Sequence, residues 1–264
     1  MGPYSYKING GNKLRGDINI SGSKNAVLGV LAAAMMIDGV CTLENVPDIS
    51  DVHVMIELCQ TLGATIETIT TPEGSLLLNI DPRTINTYKA TGAAVSKIRA
   101  SYYLLGALLA RDGKASLRMP GGCNFGQRPI DLHLKAFKQM GAKGANPENL
   151  NDGIITLEAN PLRGAKVFFD IVSVGATINV MLAATKAQGK TVITNAAKEP
   201  HIVDVANFLN SMGAKIKGAG TDTIRITGVE KLHGTTYSVI PDQIEAGTFM
   251  FAAACTKGDV YIKN

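Results

Sequence analysis

Between Pro120 and Pro129 the chain reads PGGCNFGQRP, and there its residue types come nearest to chemistry. The glycines and prolines mark an exposed loop. Cys123 sits at its centre with Arg118 and Arg128 a few residues away on either side. Positive charge of that kind stabilises a thiolate, which can then act as an acid or nucleophile near neutral pH. Cys59 and Cys255 instead lie in apolar, helix-patterned stretches and read as packing residues.

A second set of candidates stands where helices are expected to begin. Helix amino termini carry unpaired N–H groups and a partial positive charge, so they attract anions. One start carries Lys24 and Asn25 after Ser21-Gly22-Ser23, a second Lys97 and Arg99, a third Ser173-Val174-Gly175, and a fourth Asp242 and Glu245. Ser23 and Ser173 are accounted for as caps. Lys24 and Arg99 are not, because a cation is disfavoured at that end unless it faces an acid or a bound anion.

Other chemistries find less support. Gly218-Ala219-Gly220 lacks the third glycine of a dinucleotide fingerprint, and there is no GxxxxGK[ST] phosphate loop. Cys41, Cys59, Cys123 and Cys255 show no CxxC spacing, and His53, His133, His201 and His233 form no HExxH pair. The histidines therefore read as surface or supporting residues, and no metal or cofactor is expected.

The elements that must position these residues recur. An apolar helical stretch runs up to a glycine four times, at Gly39, Gly113, Gly189 and Gly258, and each is followed by a short strand pattern: CTLEN, ASLRMP, TVITN and VYIKN. Glycine is expected there as a helix C-cap feeding directly into the strand. The first three units continue into a second amphipathic helix, opening near Asp51, Asp131 and Asp204, and close on the strand patterns SLLLNI, GIITLEA and TIRITGV. The fourth stops at Asn264, after its first strand. Such a unit cannot bury its apolar face without its other half, so three complete repeats and half of a fourth are expected, in a chain that is truncated or takes its partner surface from elsewhere.

The chain has 264 residues, 45% hydrophobic and 18% charged, which suits an ordered globular protein. The apolar run from Ala26 to Ile37 is too short to span a bilayer, and the amino terminus has no signal-peptide core. A cytoplasmic protein without a membrane partner is expected. The net charge is +4, yet there is no Lys/Arg block and no Trp, which weakens the case for nucleic acid; a small anionic substrate explains the excess equally well.

The segments SGSKNAVL, KIRAS, PGGCNFGQRPIDLH, VSVGAT, NAAKEPHIVD, GAGTD and PDQIEAGTF, in this order along the whole chain, closely resemble UDP-N-acetylglucosamine 1-carboxyvinyltransferase. The resemblance implies an inside-out α/β barrel of two three-repeat domains with the active site between them. Residues 24–240 would form the complete domain carrying the Cys loop, and 1–23 and 241–264 an incomplete part of a discontinuous second one. It implies transfer of the enolpyruvyl group of phosphoenolpyruvate to the 3-hydroxyl of UDP-N-acetylglucosamine, with release of phosphate and no metal or cofactor. This is the first committed step of peptidoglycan synthesis and the target of fosfomycin.

Carried over by position, Lys24, Arg99 and Arg128 would bind phosphoenolpyruvate. Cys123 would assist protonation of the enol carbon and be alkylated by fosfomycin. Asn25, Arg128, Pro129, Ile130, Asp131, Leu132, Ser173, Val174 and Gly175 would bind UDP-N-acetylglucosamine. The chain departs from the pattern at Ile171, where a Lys facing the diphosphate is common, at Gln243 in place of an Arg, and at His201 in place of a Glu. The family's general base, an Asp, and further arginines would lie beyond residue 264. The alternatives are a non-catalytic UDP-sugar-binding module and the shikimate-pathway enolpyruvyl transferase, whose pattern lacks the Cys loop.

Overall fold

A computed structural model of the protein describes residues 5–119, 130–144 and 153–264. Three four-stranded sheets in it share one plan. In one, β5 (Lys89–Ala90), β6 (Lys114–Arg118), β8 (Ile154–Glu158) and β7 (Lys143–Gly144) lie side by side in that order; β5 is parallel to β6, and the other pairings are antiparallel. A second repeats the plan with β9 (Lys166–Phe168), β10 (Lys190–Thr194), β12 (Thr223–Thr227) and β11 (Lys215–Lys217).

The third sheet is built from β2 (Cys41–Val46), β4 (Leu76–Asp81) and β3 (Thr65–Thr70), but takes its parallel edge strand from far along the chain, β13 (Thr236–Ser238). The strand that precedes the first helix, β1 (Arg15–Asn19), pairs instead with β14 (Asp259–Lys263), in parallel from Arg15↔Asp259 to Asn19↔Lys263. The two units have exchanged edge strands. Their connections cross antiparallel: Ser23 N–H donates to Ile240 O at 2.7 Å and Asp242 N–H to Ser21 O at 2.8 Å. A Cβ on Gly22 would fall 1.7 Å from Asn45 O, so only glycine fits at this crossing.

Inside the sheets lie α1 (Lys24–Ala34), α3 (Tyr103–Asp112) and α5 (Val174–Thr185). From Ala26 to Ala34 and from Ala176 to Thr185 every residue is buried, as expected of helices apolar all round. The helices α2 (Ser50–Thr61), α4 (Asp131–Gln139) and α6 (Pro200–Ser211) bury one face only. The core built by these elements runs from Ala26 to Val239.

Several expectations need correction. Glycine caps the helix directly only at Gly113, φ 66°; α1 and α5 end several residues before Gly39 and Gly189, and after α7 (Gln243–Thr256) it is Lys257 that takes the left-handed conformation. Asp204 does not open α6, which starts at Pro200. It is buried in the second turn, where its carboxylate accepts the Tyr237 hydroxyl at 2.6 Å. Lys97 and Arg99 lie in short 3-10 turns, Ala93–Lys97 and Arg99–Tyr102, ahead of α3 and not in its first turn. Cys59 is buried as expected, but Cys255 is exposed, because α7 has no buried residue.

Candidate functional site

Hydrogen bonds join the three central helices. Near the amino ends of α3 and α5, Asn179 Oδ1 accepts from Gly106 N–H at 2.8 Å; at the other end, Arg111 of α3 donates to Met35 O just beyond α1 at 3.0 Å. At the starts of α3 and α5, Arg99 and Gly175 are brought to the same ring, His133: the Arg99 charge acts on it, and a Cβ on Gly175 would come within 3.3 Å of it.

Each start is built locally. Ser23 caps α1 by accepting from Ala26 N–H, and Ser173 caps α5 by accepting from Ala176 N–H at 3.3 Å, as the sequence leads one to expect. Asp242 caps α7 twice over, accepting from Ile244 and Glu245 N–H at 2.7 and 3.1 Å. Its second oxygen accepts from Lys24 N–H at 3.0 Å, tying α7 to the start of α1. Glu245 takes both the backbone N–H and the hydroxyl of Ser21.

The acid that a cation at a helix start requires is present for Lys24. Its Nζ lies 3.4 Å from Asp51 Oδ2, with both side chains partly exposed. An exposed pair of this kind is worth at most about 1 kcal/mol and yields to a better anion. Asn25 beside it is half-buried. The Arg99 guanidinium sits 5.2 Å from the centre of the Tyr102 ring.

Ile130 is buried and packs α4 into the core, Asp131 opens α4 with an exposed carboxylate, and Leu132 is half-buried against the core. Ile171 is 72% exposed just before α5 and supplies no charge to that helix start. Cys123, Arg128 and Pro129 lie outside the described residues.

One cluster escaped the sequence reading. His133, read there as a surface or supporting residue, is buried between α4 and α5 with its ring 5.6 Å from that of Tyr102. Its Nδ1 lies 2.9 Å from Asn179 Nδ2, which also donates to Tyr102 O at 2.8 Å. Burial, with a smaller contribution from the Arg99 charge, holds the imidazole pKa down at about 4, so the ring is neutral at physiological pH. The available signal was Asn179 itself, a lone amide inside VGATINVMLAAT. His201 is also buried, whereas His53 and His233 are exposed as read.

Residues 8–264 match the family EPSP synthase (3-phosphoshikimate 1-carboxyvinyltransferase). The chain is 53% identical over 259 residues to UDP-N-acetylglucosamine 1-carboxyvinyltransferase 3 of Caldanaerobacter subterraneus subsp. tengcongensis, and 54% identical over 259 residues to UDP-N-acetylglucosamine 1-carboxyvinyltransferase of Clostridium botulinum. Each alignment covers 98% of this chain and 60% of the relative, so the chain spans about three fifths of the length of these proteins. Among solved structures, the enolpyruvyl transferase NikO from Streptomyces tendae matches with a TM-score of 0.78 and 26% identity, over 92% of this chain and 56% of that one. EPSP synthase from Acinetobacter baumannii, at 21% identity and a TM-score of 0.73 over 95% of this chain and 56% of that one, shares the fold.

Proposed function

The chain belongs to the EPSP synthase family of enolpyruvyl transferases, and on that premise we propose that it is the part of a UDP-N-acetylglucosamine 1-carboxyvinyltransferase that holds the nucleotide sugar and the Cys loop. The observation that carries this reading is identity of about half the residues, across almost the entire chain, to proteins of that name. The reaction joins the sugar 3-hydroxyl oxygen, whose proton passes to a base, to C2 of phosphoenolpyruvate while a proton is added to C3. Loss of that proton's equivalent from C3 and of inorganic phosphate from C2 then restores the double bond. In a cell this would be the first committed step of peptidoglycan synthesis, carried out in the cytoplasm.

The residues have roles that follow from their chemistry. Phosphoenolpyruvate is polyanionic, and Lys24, Arg99 and Arg128 would hold its phosphate and carboxylate; Lys24 would exchange its weak pairing with Asp51 for this stronger one. Cys123, with Arg118 and Arg128 near it in sequence, would deliver the proton to C3. The half-exposed start of α5 would take the diphosphate of the nucleotide on the N–H groups of its first turn, which the helix itself leaves unpaired. Asn25 would contact the sugar, and the segment from Arg128 to Leu132 would line the uridine.

We also propose the division of the chain. Residues from about 24 to 240 form one unit, supported by a core that runs from Ala26 to Val239. Residues 1–23 and 241–264 belong to a second, supported by the β1–β14 pairing and by the absence of any buried residue in α7.

The test is phosphate release from phosphoenolpyruvate and UDP-N-acetylglucosamine by this chain and by a form extended to the length of its relatives, each with and without Cys123→Ala. Activity in the extended form, reduced at least a hundredfold by the substitution, is the expected result. Absence of activity in both forms, with the nucleotide sugar still bound, would sink the reading and leave a non-catalytic binding module.

A further inference from the structure

The strands β9, β10, β11 and β12 read KVF, KTVIT, KIK and TIRIT, and contain no Asp or Glu. Val167, Ile193, Ile216, Ile224 and Ile226 point inward and are buried, and on the outer face stand Lys166, Lys190, Lys215, Lys217 and Arg225, all exposed. The other two sheets mix their charges. One carries Glu44 and Glu67, and on the other Lys114 is paired with Glu158 at 3.1 Å. Among the described residues, none of the five cations has a hydrogen bond or ion pair through its side chain.

The register concentrates this charge. Lys217 stands directly opposite Arg225, Arg225 opposite Val192, and Val192 opposite Lys166; two residues away a second row runs Lys215, Thr227, Lys190. With strands ~4.8 Å apart and rows ~7 Å apart, the five cations share a patch of roughly 14 by 7 Å. Like charges directly opposite one another destabilise a sheet, a cost that a bound anion would offset. A groove of about 590 Å³ lined by Lys190, Lys215, Lys217 and Arg225 crosses this face.

Lysines on an edge strand can serve only to keep other strands away. Here β11 is closed by other means, because Asn210 of α6 accepts from Ile216 N–H and donates to Ile216 O, both at 2.9 Å. Lys190 and Arg225, moreover, lie on the two inner strands, where no guard is needed.

We propose that the outer face of this sheet is a docking surface for an acidic, extended segment of a partner protein, with carboxylates at alternate positions over the two rows. Alternate side chains of an extended segment recur at the same ~7 Å as the rows. Four of the five cations are Lys, point charges without the planar fork that suits phosphate, and the groove has no aromatic side chain for a base to stack on, which favours protein carboxylates over nucleic acid. Nor does the groove offer an exposed apolar side chain to enter a lipid surface. Such docking is transient, fast and sensitive to salt.

Fluorescence anisotropy of the chain with a labelled oligoglutamate peptide, and oligoglutamine as the neutral control, tests this. Only the acidic peptide is expected to bind, at least tenfold more weakly when NaCl is raised from about 50 to about 300 mM. Lys217→Glu turns a repulsive cross-strand pair into an attractive one, so it should raise the urea midpoint of the chain while weakening peptide binding roughly tenfold. Lys89→Glu, the same change of charge on another sheet, should leave the affinity within about twofold. Absence of peptide binding at the lower salt, equal losses in the two variants, or a urea midpoint that fails to rise in Lys217→Glu would overturn the proposal. So would tighter binding of a single-stranded oligonucleotide or of phosphatidylglycerol vesicles, lost in Lys217→Glu, since the face would then serve nucleic acid or a membrane.

Discussion

Lys24 was legible as a cation in need of an acid or an anion because electrostatics disfavours a cation at a helix start without one, and that rule needs no fold; Arg99, read by the same rule, lies in a 3-10 turn ahead of α3. His133 was not legible, because its meaning depends on α4 packing against α5 and on Asn179 reaching it from the second turn of α5. The same burial has a consequence for stability. The unfolded chain takes up a proton on this histidine near its ordinary pKa of 6.5, whereas the native ring resists protonation until about pH 4. Between those values the unfolded state binds more protons, so stability falls as pH falls, by on the order of 3 kcal/mol across the window. His201, also held down by burial, works in the same direction. The contribution of His133 is therefore isolated as a difference: urea unfolding of the chain and of His133→Gln, from pH 7 to pH 4.5, is expected to show a shallower loss in the variant. Parallel losses would mean that the native imidazole titrates normally.

At the scale of elements, the sequence carried the helices and the strands β2, β4, β6, β8, β10, β12 and β14, whose apolar patterns are a local property, and it carried their order; it did not carry β1 or β3. It did not carry β5, β9 and β13, because strands of two or three residues have no period to read and exist only through the neighbour they pair with. Nor did it distinguish the Asp that caps a helix from the one that does not. Asp204 looked like a helix opener and is a buried partner of Tyr237, while Asp242 caps α7 through two N–H groups and reaches across to Lys24. Removing Asp242 takes away bonds to two helix starts at once. Asp242→Ala should cost about 2 kcal/mol, the upper end for a cap, whereas Ser23→Ala, whose single bond to Ala26 N–H is 3.4 Å long, should cost about 0.5 kcal/mol. Chemical denaturation of both variants gives the comparison, and equal losses would show that the link between α7 and α1 contributes nothing.

At the scale of the whole molecule, the repeats were readable but their closure was not. Three similar units invite the expectation that each keeps its own edge strand, and the chain instead sends β13 to the first sheet and β1 to β14. Parallel pairing tolerates such long connections, so nothing local announces the exchange. Its physical result is that α7 and β14 are held to the rest by β1 and by the crossing at Gly22 and Pro241, without a core of their own. Ile244, Met250 and Phe251 are 59%, 59% and 75% exposed on a helix whose sister helices α1 and α5 are buried almost throughout. Contiguous apolar surface of this kind marks an interaction site. Hydrogen exchange should therefore be fast in α7 and slow in α5 in this chain, and α7 should become protected by at least a hundredfold when the chain is extended to the length of its relatives. Equal protection of α7 and α5 in the shorter form would mean that the fourth unit is stable alone, and the strand exchange would then have to be explained by something other than a second domain.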